Sequence, residues 1–511
     1  MKNPPSTVQL HPMLMPVLCD TGNIFQAWDT WQKMGAKKMG AYFYHDDMWF
    51  IIPKLDIHQS AKRIRYIAAS GLARSFYQEF YGIYPLNGMV GYVEQELTWD
   101  PRQNVDDLLN EYYHGFYGLA WKSMQSFYEL LEADYHVWLE KAGKPHPHGP
   151  DISSIVDNRT LNQFAVLSES TAEKAQLALD AAWVAAKDEP LVRERISVVK
   201  TLFDFAVPGS QMFGARERLH NANIQSVSDA DEIMADARKA VDSSLALAAY
   251  KTDVMEKSEA KSYADHGNRD KFYNGLEKGA VLPEVLNTIS VALKEVAEYL
   301  NQSIGNEKAN AWWQVQLNQE TREVLKNQMR VAIFDASGQK LENRVQDPGF
   351  ETRGTQQLAN TDEDEDGHLK YGGANVWRSG GTQMQCSLTS EEAHNGKYSF
   401  TFSQTASAGV SEPFTQPLQT GDILRMSVWV KHNAGQAKYS VQTDPRSTSG
   451  QLPRATVEVP WKPDEWQQIE LLATVVPGTV RMNFWVFVKG QDPEARIWVD
   501  DFFIGKYPDL E

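Results

Sequence analysis

The spacing of apolar side chains changes twice along the chain, and each change marks a different architecture. Up to about residue 103, short aromatic runs alternate with amphipathic stretches. Ile24, Trp28 and Trp31 recur at helical spacing within 23–36, with Gly35 as the stop. Residues 38–47 read as an aromatic strand ending in polar residues. Ile57, Ala61, Ile64 and Ile67 share one face over 56–71, closed by Gly71, and 72–81 read as a second strand. This strand, helix, strand order predicts a right-handed parallel unit. Val90, Val93 and Leu97 place 88–99 on a helix, which Pro101 ends by restricting Asp100. Two or three such units are too few to close an eight-stranded barrel of about 250 residues.

From 104 to 339 the period is helical. Segments 104–118 and 119–143 are split at Gly118, and a polar linker follows at 144–154. Residues 171–189, 191–207, 229–255 and 282–304 then read as helices, rich in Ala and poor in Pro, as in packed bundles. Beyond 340 the period falls to two. Segments 423–432, 437–443, 455–460, 466–475, 480–490 and 495–505 alternate like half-buried strands between closely spaced turn signals. That pattern predicts a β-sandwich. The expected organisation is a partial (β/α) barrel over 1–103, an α-helical bundle over 104–339 and an all-β sandwich over 340–511.

A length of 511 residues suits about three domains. The net charge of −17 argues against a phosphate-binding surface. No Gly-rich phosphate loop, Ser elbow, zinc helix motif or basic stripe is present, which disfavours nucleotide and nucleic-acid functions. Cys19 and Cys386 are the only cysteines, too few for a disulfide framework or a Cys-based metal cluster. No apolar run reaches membrane-spanning length. The Pro-interrupted N-terminus does not read as a signal peptide, so the expectation is a cytosolic protein or a missing true N-terminus. Fifteen Trp and 20 Tyr supply many flat side chains of the kind that stack on sugars.

Two stretches go beyond periodicity. The pieces "DPGFE" (347–351), "AHNGKYSFTF" (393–402), "VSEPFTQPLQTGDILRMSVWVK" (410–431), "EWQQIEL" (465–471), "PGTVRMNFWV" (477–486) and "IWVDDFFIG" (497–505) follow one another in order. Together they resemble the jelly-roll carbohydrate-binding modules attached to bacterial glycoside hydrolases. The stretch "YFYHDDMWFIIPKL…IRYIAASGLARSFYQEFYG", followed by "ELTWDPRQNVDDLLNEYYHGFYGLAWKSMQSFYELLE" (96–132), is similar to the end of an uncharacterised family of glycoside-hydrolase-like barrel proteins. That family carries a long stretch before these strands, here reduced to about twenty residues. The resemblance implies the C-terminal part of a longer protein, without any catalytic group borne on earlier strands.

Candidate chemistry gathers at strand ends. In parallel barrels the active site lies at the C-terminal ends of the strands. Glu79 ends the second strand among Phe76, Tyr77, Phe80, Tyr81 and Tyr84. Glycoside hydrolysis needs two carboxylates, one often raised in pKa by apolar neighbours, and this setting could supply one. The plainer reading pairs Glu79 with Arg74 or a helix N-terminus. His45, Asp46 and Asp47 end the preceding strand. Asp46 or Asp47 could be the second carboxylate, and His45 a contact to sugar hydroxyls; a solvated, capping loop is the alternative. Trp49, Tyr77 and Tyr81 are candidate stacking surfaces. Glu94 and Glu96 are expected at the surface of their helix.

In the tail, the sandwich resemblance implies a structural calcium ion held by oxygen ligands between the first and last strands. Glu351, Asp500 and Asp501 are the candidates, although strand alternation would point the two aspartates to opposite faces. Asp362, Asp364 and Asp366 imitate the start of a calcium loop, but position twelve is Gly373, so an acidic loop is expected. His146 and His148 lack ligand spacing and read as linker. Trp377 and Trp461, near loops, are stacking candidates, whereas Trp429 and Trp485 read as core. The expected function is a carbohydrate-active protein that acts on or binds a polysaccharide or oligosaccharide, outside the cytoplasm and without a catalytic cofactor. The alternative is a non-catalytic glycan-binding or adhesion protein in which the shortened barrel is scaffold.

Overall fold

The computed structural model describes residues 10–19, 24–45, 55–80, 84–142, 161–259, 261, 273, 276–345, 348–351, 369–371, 374–378, 385–403, 407–414, 417–433, 438–447, 450–451, 456–459, 462–489 and 496–508. The chain divides into two compact units, residues 1–217 with 242–280, and residues 218–241 with 281–511.

The first unit opens with β1 (Val17–Cys19), α1 (Ile24–Lys33), β2 (Met39–His45), α2 (Ile57–Ala69) and β3 (Ala73–Phe80). The strands form a parallel sheet in the order β1-β2-β3. Leu18, Ala41 and Phe43 are buried, as are Phe25, Trp28, Ile57 and Ile64 on the apolar faces of α1 and α2. On the opposite face Tyr42 and Tyr77 stack 6.0 Å apart, and Tyr77 is 46% exposed. The parallel unit expected from the sequence is therefore present, as an open sheet of three strands among the described residues.

Helices α3 (Tyr84–Trp99), α4 (Val105–Tyr117), α5 (Trp121–Ala142), α6 (Glu169–Ala185), α7 (Pro190–His220) and α8 (Val227–Asp253) follow. Asn104 caps α4 by accepting from the backbone N–H of Asp106 and Asp107. Gly118 ends that helix at φ +46, where a Cβ would fall within 2.9 Å of the Glu189 side chain. Glu189 instead accepts from the Leu119 N–H at 2.7 Å, so the break requires glycine. Tyr113, Tyr117 and Tyr128 are buried between α4 and α5, with the hydroxyls of Tyr117 and Tyr128 2.8 Å apart. His58, in the first turn of α2, meets Glu132 of α5 at 2.9 Å and Asp106 of α4 at 3.3 Å. The hydrogen bond to Glu132 is the main reason its pKa is pushed up to about 9.

Two expectations are corrected here. Glu94 is not at the surface: it is 1% exposed within α3. The helix read as 191–207 continues through Pro208 to His220. Proline removes one backbone hydrogen bond, but packing overrides that local cost. Next to it, Gly209 lets the ring of Phe164 press so close that a Cβ would lie 2.0 Å from it.

The second unit contains the end of α7, the first half of α8, and α9 (Pro283–Ile304), α10 (Asn306–Gln319) and α11 (Glu323–Ala336). Twelve strands follow: β4 (Leu369–Tyr371), β5 (Ala374–Arg378), β6 (Gln385–Thr389), β7 (Ser399–Ser403), β8 (Ser407–Phe414), β9 (Ile423–His432), β10 (Lys438–Ser447), β11 (Gly450–Gln451), β12 (Thr456–Val459), β13 (Gln467–Thr474), β14 (Arg481–Lys489) and β15 (Arg496–Lys506). They form an antiparallel sheet ordered β11-β10-β14-β8-β5-β4, with β12 also on β10, and a second ordered β13-β9-β15-β7-β6. Leu424, Met426, Val428, Ile469, Leu471, Ile497 and Val499 of the second sheet share one core with Val441, Met482, Phe484 and Val486 of the first. The tail is thus the β-sandwich that its period of two predicts.

One end of the outward face of the five-stranded sheet is covered by helices. Ile423, Leu472 and Tyr507 form a buried cluster with Val331 of α11, and Phe334 and Leu341 pack against it. Asn287 of α9 accepts from the Leu472 N–H at 3.0 Å, which satisfies an outer strand of the sheet. Asp335, near the end of α11, pairs with Arg425 of β9 and accepts from the Tyr507 hydroxyl at 3.0 Å. Its side chain is almost fully buried, and burial pushes its pKa up against the pull of Arg425. Replacing Asp335 with Ala leaves Arg425 without its buried partner. We expect a loss of about 3 kcal/mol in the urea unfolding of the full chain, with a smaller loss for Asp335→Asn.

Candidate functional site

Alternation along β14 separates two faces. Met482, Phe484 and Val486 point into the sandwich core. Asn483 and Trp485 point the other way, yet each is only 2% exposed. Trp485 is buried, as the sequence reading expects of a core residue, but by alternation it lies on the side of the seven-stranded sheet away from the inter-sheet cluster. Cross-strand register places positions 375, 411, 485, 442 and 456 in one row across that sheet. The next row holds Trp377 opposite Gly409. The Nδ2 of Asn483 is buried and has no hydrogen-bond partner among the described residues. Both side chains are covered in this structure; once uncovered, an indole can stack on the C–H face of a sugar and an amide can donate to a hydroxyl. Sequence reasoning missed Asn483; the signal available was its alternation with the core positions of β14.

The acidic residues of the tail gather at one end of the sandwich. Asp501 sits at φ +49 in a β-bulge between Asp500 and Phe503. The bulge overturns the simple alternation argument, because one extra residue re-aims the side chains. Atoms of Asp501, Asp500 and Glu351 all lie within 3.8 Å of where a Cβ on Gly349 would be. Their oxygens are engaged by the 394–398 loop. Asp500 accepts from the N–H of His394 at 2.8 Å, Asn395 at 3.3 Å and Asp501 at 2.8 Å. Glu351 accepts from the N–H of Lys397 at 2.7 Å and Tyr398 at 2.8 Å. The ring Nδ1 of His394 is 2.7 Å from Asp501. His394 also stacks on Trp429 at 3.8 Å, so Trp429 too faces outward rather than into the core.

Burial, and then the charge of Asp501, push the Asp500 pKa up to about 6, against the pull of the three amides. Hard carboxylate oxygens suit calcium in type. Among the described residues no group of three His, Cys, Asp or Glu is placed to hold a metal ion; calcium also takes backbone carbonyl oxygens.

The strand-end candidates are placed as follows. His45 and Glu79 lie at the C-terminal ends of β2 and β3, where Tyr44 pairs in register with Glu79 and His45 with Phe80. Arg74 donates to the carbonyls of Gly71 and Ala73. Asp46, Asp47, Trp49, Tyr81 and Trp461 lie outside the described residues, as do the acidic loop 361–368 and His146 and His148. No helix among the described residues is long and apolar enough to cross a membrane.

Residues 343–493 match the family model described as carbohydrate binding domain. The match falls on the C-terminal sandwich, which is therefore similar to a carbohydrate-binding module. No curated protein matches the chain. Among solved structures, the chain is similar to the module TmCBM61 in complex with β-1,4-galactotriose, with 21% identity over 32% of this chain and 99% of that one, at a TM-score of 0.22. It is also similar to a CBM22-1 xylan-binding domain from Paenibacillus barcinonensis, with 20% identity over 26% of this chain and 85% of that one, at a TM-score of 0.19. A third likeness is the enzymatically active domain of tailspike protein 4 from bacteriophage CBA120, with 12% identity over 32% of this chain and a TM-score of 0.24. The likeness spans 21% of that tailspike chain.

The acidic end of the module carries its own prediction. Asp500 holds its proton more tightly folded than unfolded, so its contribution to stability is largest below the ordinary value of 3.8. That contribution falls as pH rises towards about 6 and is level above it. Thermal scans should show this decline, and Asp501→Asn should flatten it by removing the like charge. Because loop amides already engage the carboxylates, EDTA should leave the midpoint unchanged.

Proposed function

We propose that this chain binds polysaccharide on the outward face of the seven-stranded sheet, floored by Trp485 and Asn483. The observation that carries this reading is the split between the two sheets. Helices α9 and α11 cover the part of the five-stranded sheet's outward face around Ile423 and Leu472. The other sheet carries a buried indole and an unpartnered buried amide on its outward side, within the span that matches the carbohydrate-binding family. A buried donor without a partner is costly, and a ligand oxygen that satisfies it recovers that cost. Polysaccharides of this kind lie outside cells, so we place the protein in the periplasm, at the cell surface or beyond it.

Affinity electrophoresis of the full chain against neutral xylan, galactan, mannan and β-glucan tests the proposal. Retardation by at least one polymer is expected, and Trp485→Ala should abolish it. Asn483→Leu removes the amide without leaving a polar group unpaired, so the thermal midpoint should hold or rise. Affinity should nevertheless fall about tenfold, the loss of one hydrogen bond to the ligand. Retention of full affinity in both variants would move the binding face elsewhere.

A second reading adds hydrolysis, with Glu79 as acid or nucleophile and Asp46 or Asp47 as its partner. It is favoured by one observation: β1, β2 and β3 run parallel, and Glu79 stands at their C-terminal end, where open parallel sheets and barrels place their reacting groups. On a polymer that the chain cleaves, Glu79→Gln should lower turnover by about a hundredfold or more and leave retardation unchanged. Unchanged turnover would remove Glu79 from the chemistry.

A further inference from the structure

The chain contains three Asn-Gly pairs, at 87–88, 274–275 and 395–396. In such a pair the next backbone nitrogen can attack the asparagine side chain, because glycine carries no side chain to shield that nitrogen. Asn87 and Gly88 are buried inside α3, and Asn274 lies outside the described residues. Asn395 and Gly396 are exposed, in the turn between β6 and β7.

The turn holds the two reacting groups together. The Gly396 N–H donates to Oδ1 of Asn395, the residue before it, at 3.0 Å. That bond draws the Gly396 nitrogen up to the carboxamide whose Cγ it would attack. Groups of one chain held about 3–3.5 Å apart react far faster than free ones. No other residue fits at 396: its φ is +70, and a Cβ there would lie 2.3 Å from Oε1 of Glu351. The same turn clamps the acidic end of the sandwich. Its His394 and Asn395 N–H groups donate to Asp500 at 2.8 and 3.3 Å, and those of Lys397 and Tyr398 donate to Glu351 at 2.7 and 2.8 Å. The glycine that the clamp requires is thus also what leaves Asn395 reactive.

We propose that Asn395 is a self-modifying site, which converts in the folded protein to aspartate and isoaspartate and opens the clamp as it does so. The Gly396 nitrogen gives its proton to water or hydroxide and bonds to Cγ of Asn395. The carboxamide nitrogen takes up a proton and leaves as ammonia. The cyclic imide then adds one water. Cleavage of the new Cγ–N bond gives aspartate. Cleavage of the original peptide C–N bond gives isoaspartate, whose main chain runs through the former side chain and is longer by one carbon. Either product sets a carboxylate beside Asp500, Asp501 and Glu351, where like charges repel. Isoaspartate also displaces the amides that hold them.

The test keeps the full chain folded at body temperature, at neutral and mildly alkaline pH, beside a synthetic peptide of residues 379–397, the tryptic fragment that carries Asn395. Mass spectrometry of mildly acidic digests reads the change from amide to acid, and isoaspartyl methyltransferase labels isoaspartate. Expected is conversion at Asn395 in the folded chain over the period in which the peptide converts, faster as pH rises, with Asn87 intact. The thermal midpoint of the aged chain should fall. Aged Asn395→Gln, whose longer side chain disfavours the ring, should keep its fresh midpoint. Fresh Asn395→Asp carries the charge without the longer main chain, and its midpoint should lie between the two. An intact Asn395 in the folded chain once the peptide has converted would overturn the site. Equal conversion at Asn87, the sign of reaction through unfolding, would do the same. Conversion with an unchanged midpoint, or an equal fall in aged Asn395→Gln, would overturn the opening of the clamp.

Discussion

Asp335 is the fixed point of the second unit. It sits on a helix, yet its two partners, Arg425 and Tyr507, belong to the sandwich. Removing an acid and a guanidinium from water costs energy that their attraction only partly returns. Such a pair is therefore better understood as a device for position than for stability. With Asn287 on the Leu472 N–H and Lys294 near Glu470, it sets where α9 and α11 lie against β9 and β13. That placement takes the Ile423 and Leu472 end of the five-stranded sheet out of reach of a ligand.

The regular elements were legible because their periods are strong. Ile423 to His432 alternates cleanly and is one strand, and Ile57, Ala61, Ile64 and Ile67 mark a helix whose apolar stripe is buried. What the sequence hid were departures from period. An aspartate pair on an ideal strand must split between faces; the bulge at Asp501 brings the two together, and only the backbone records it. Pro208 reads as a stop, yet α7 passes through it because tertiary packing outweighs one lost hydrogen bond.

Burial was harder still. Glu94 reads as a surface acid because carboxylates on helices usually are, although Val90 and Leu97, four residues before it and three after, are buried on its face. Trp485 reads as core and is buried, but on the side of its sheet opposite to Phe484. Period two shows only that Trp485 differs in direction from Phe484; which direction is inward depends on where the second sheet lies. The module itself was legible from ordered motifs, and the family match over 343–493 agrees with them. The residues proposed to face the ligand were not, because binding faces have no period of their own.

The span that matches the family begins at residue 343, but the unit that folds around it includes 218–241 and starts again at 281. Cutting the gene at the motif boundary would strip a helical coat from a sheet whose exposed side is then Ile423, Leu472 and Tyr507. Sugar modules are usually thought of as detachable parts, shuffled between proteins at will. This one has grown into its neighbour, and any recombination that moved it would have to carry the helices along or evolve a new, water-compatible back for the sheet.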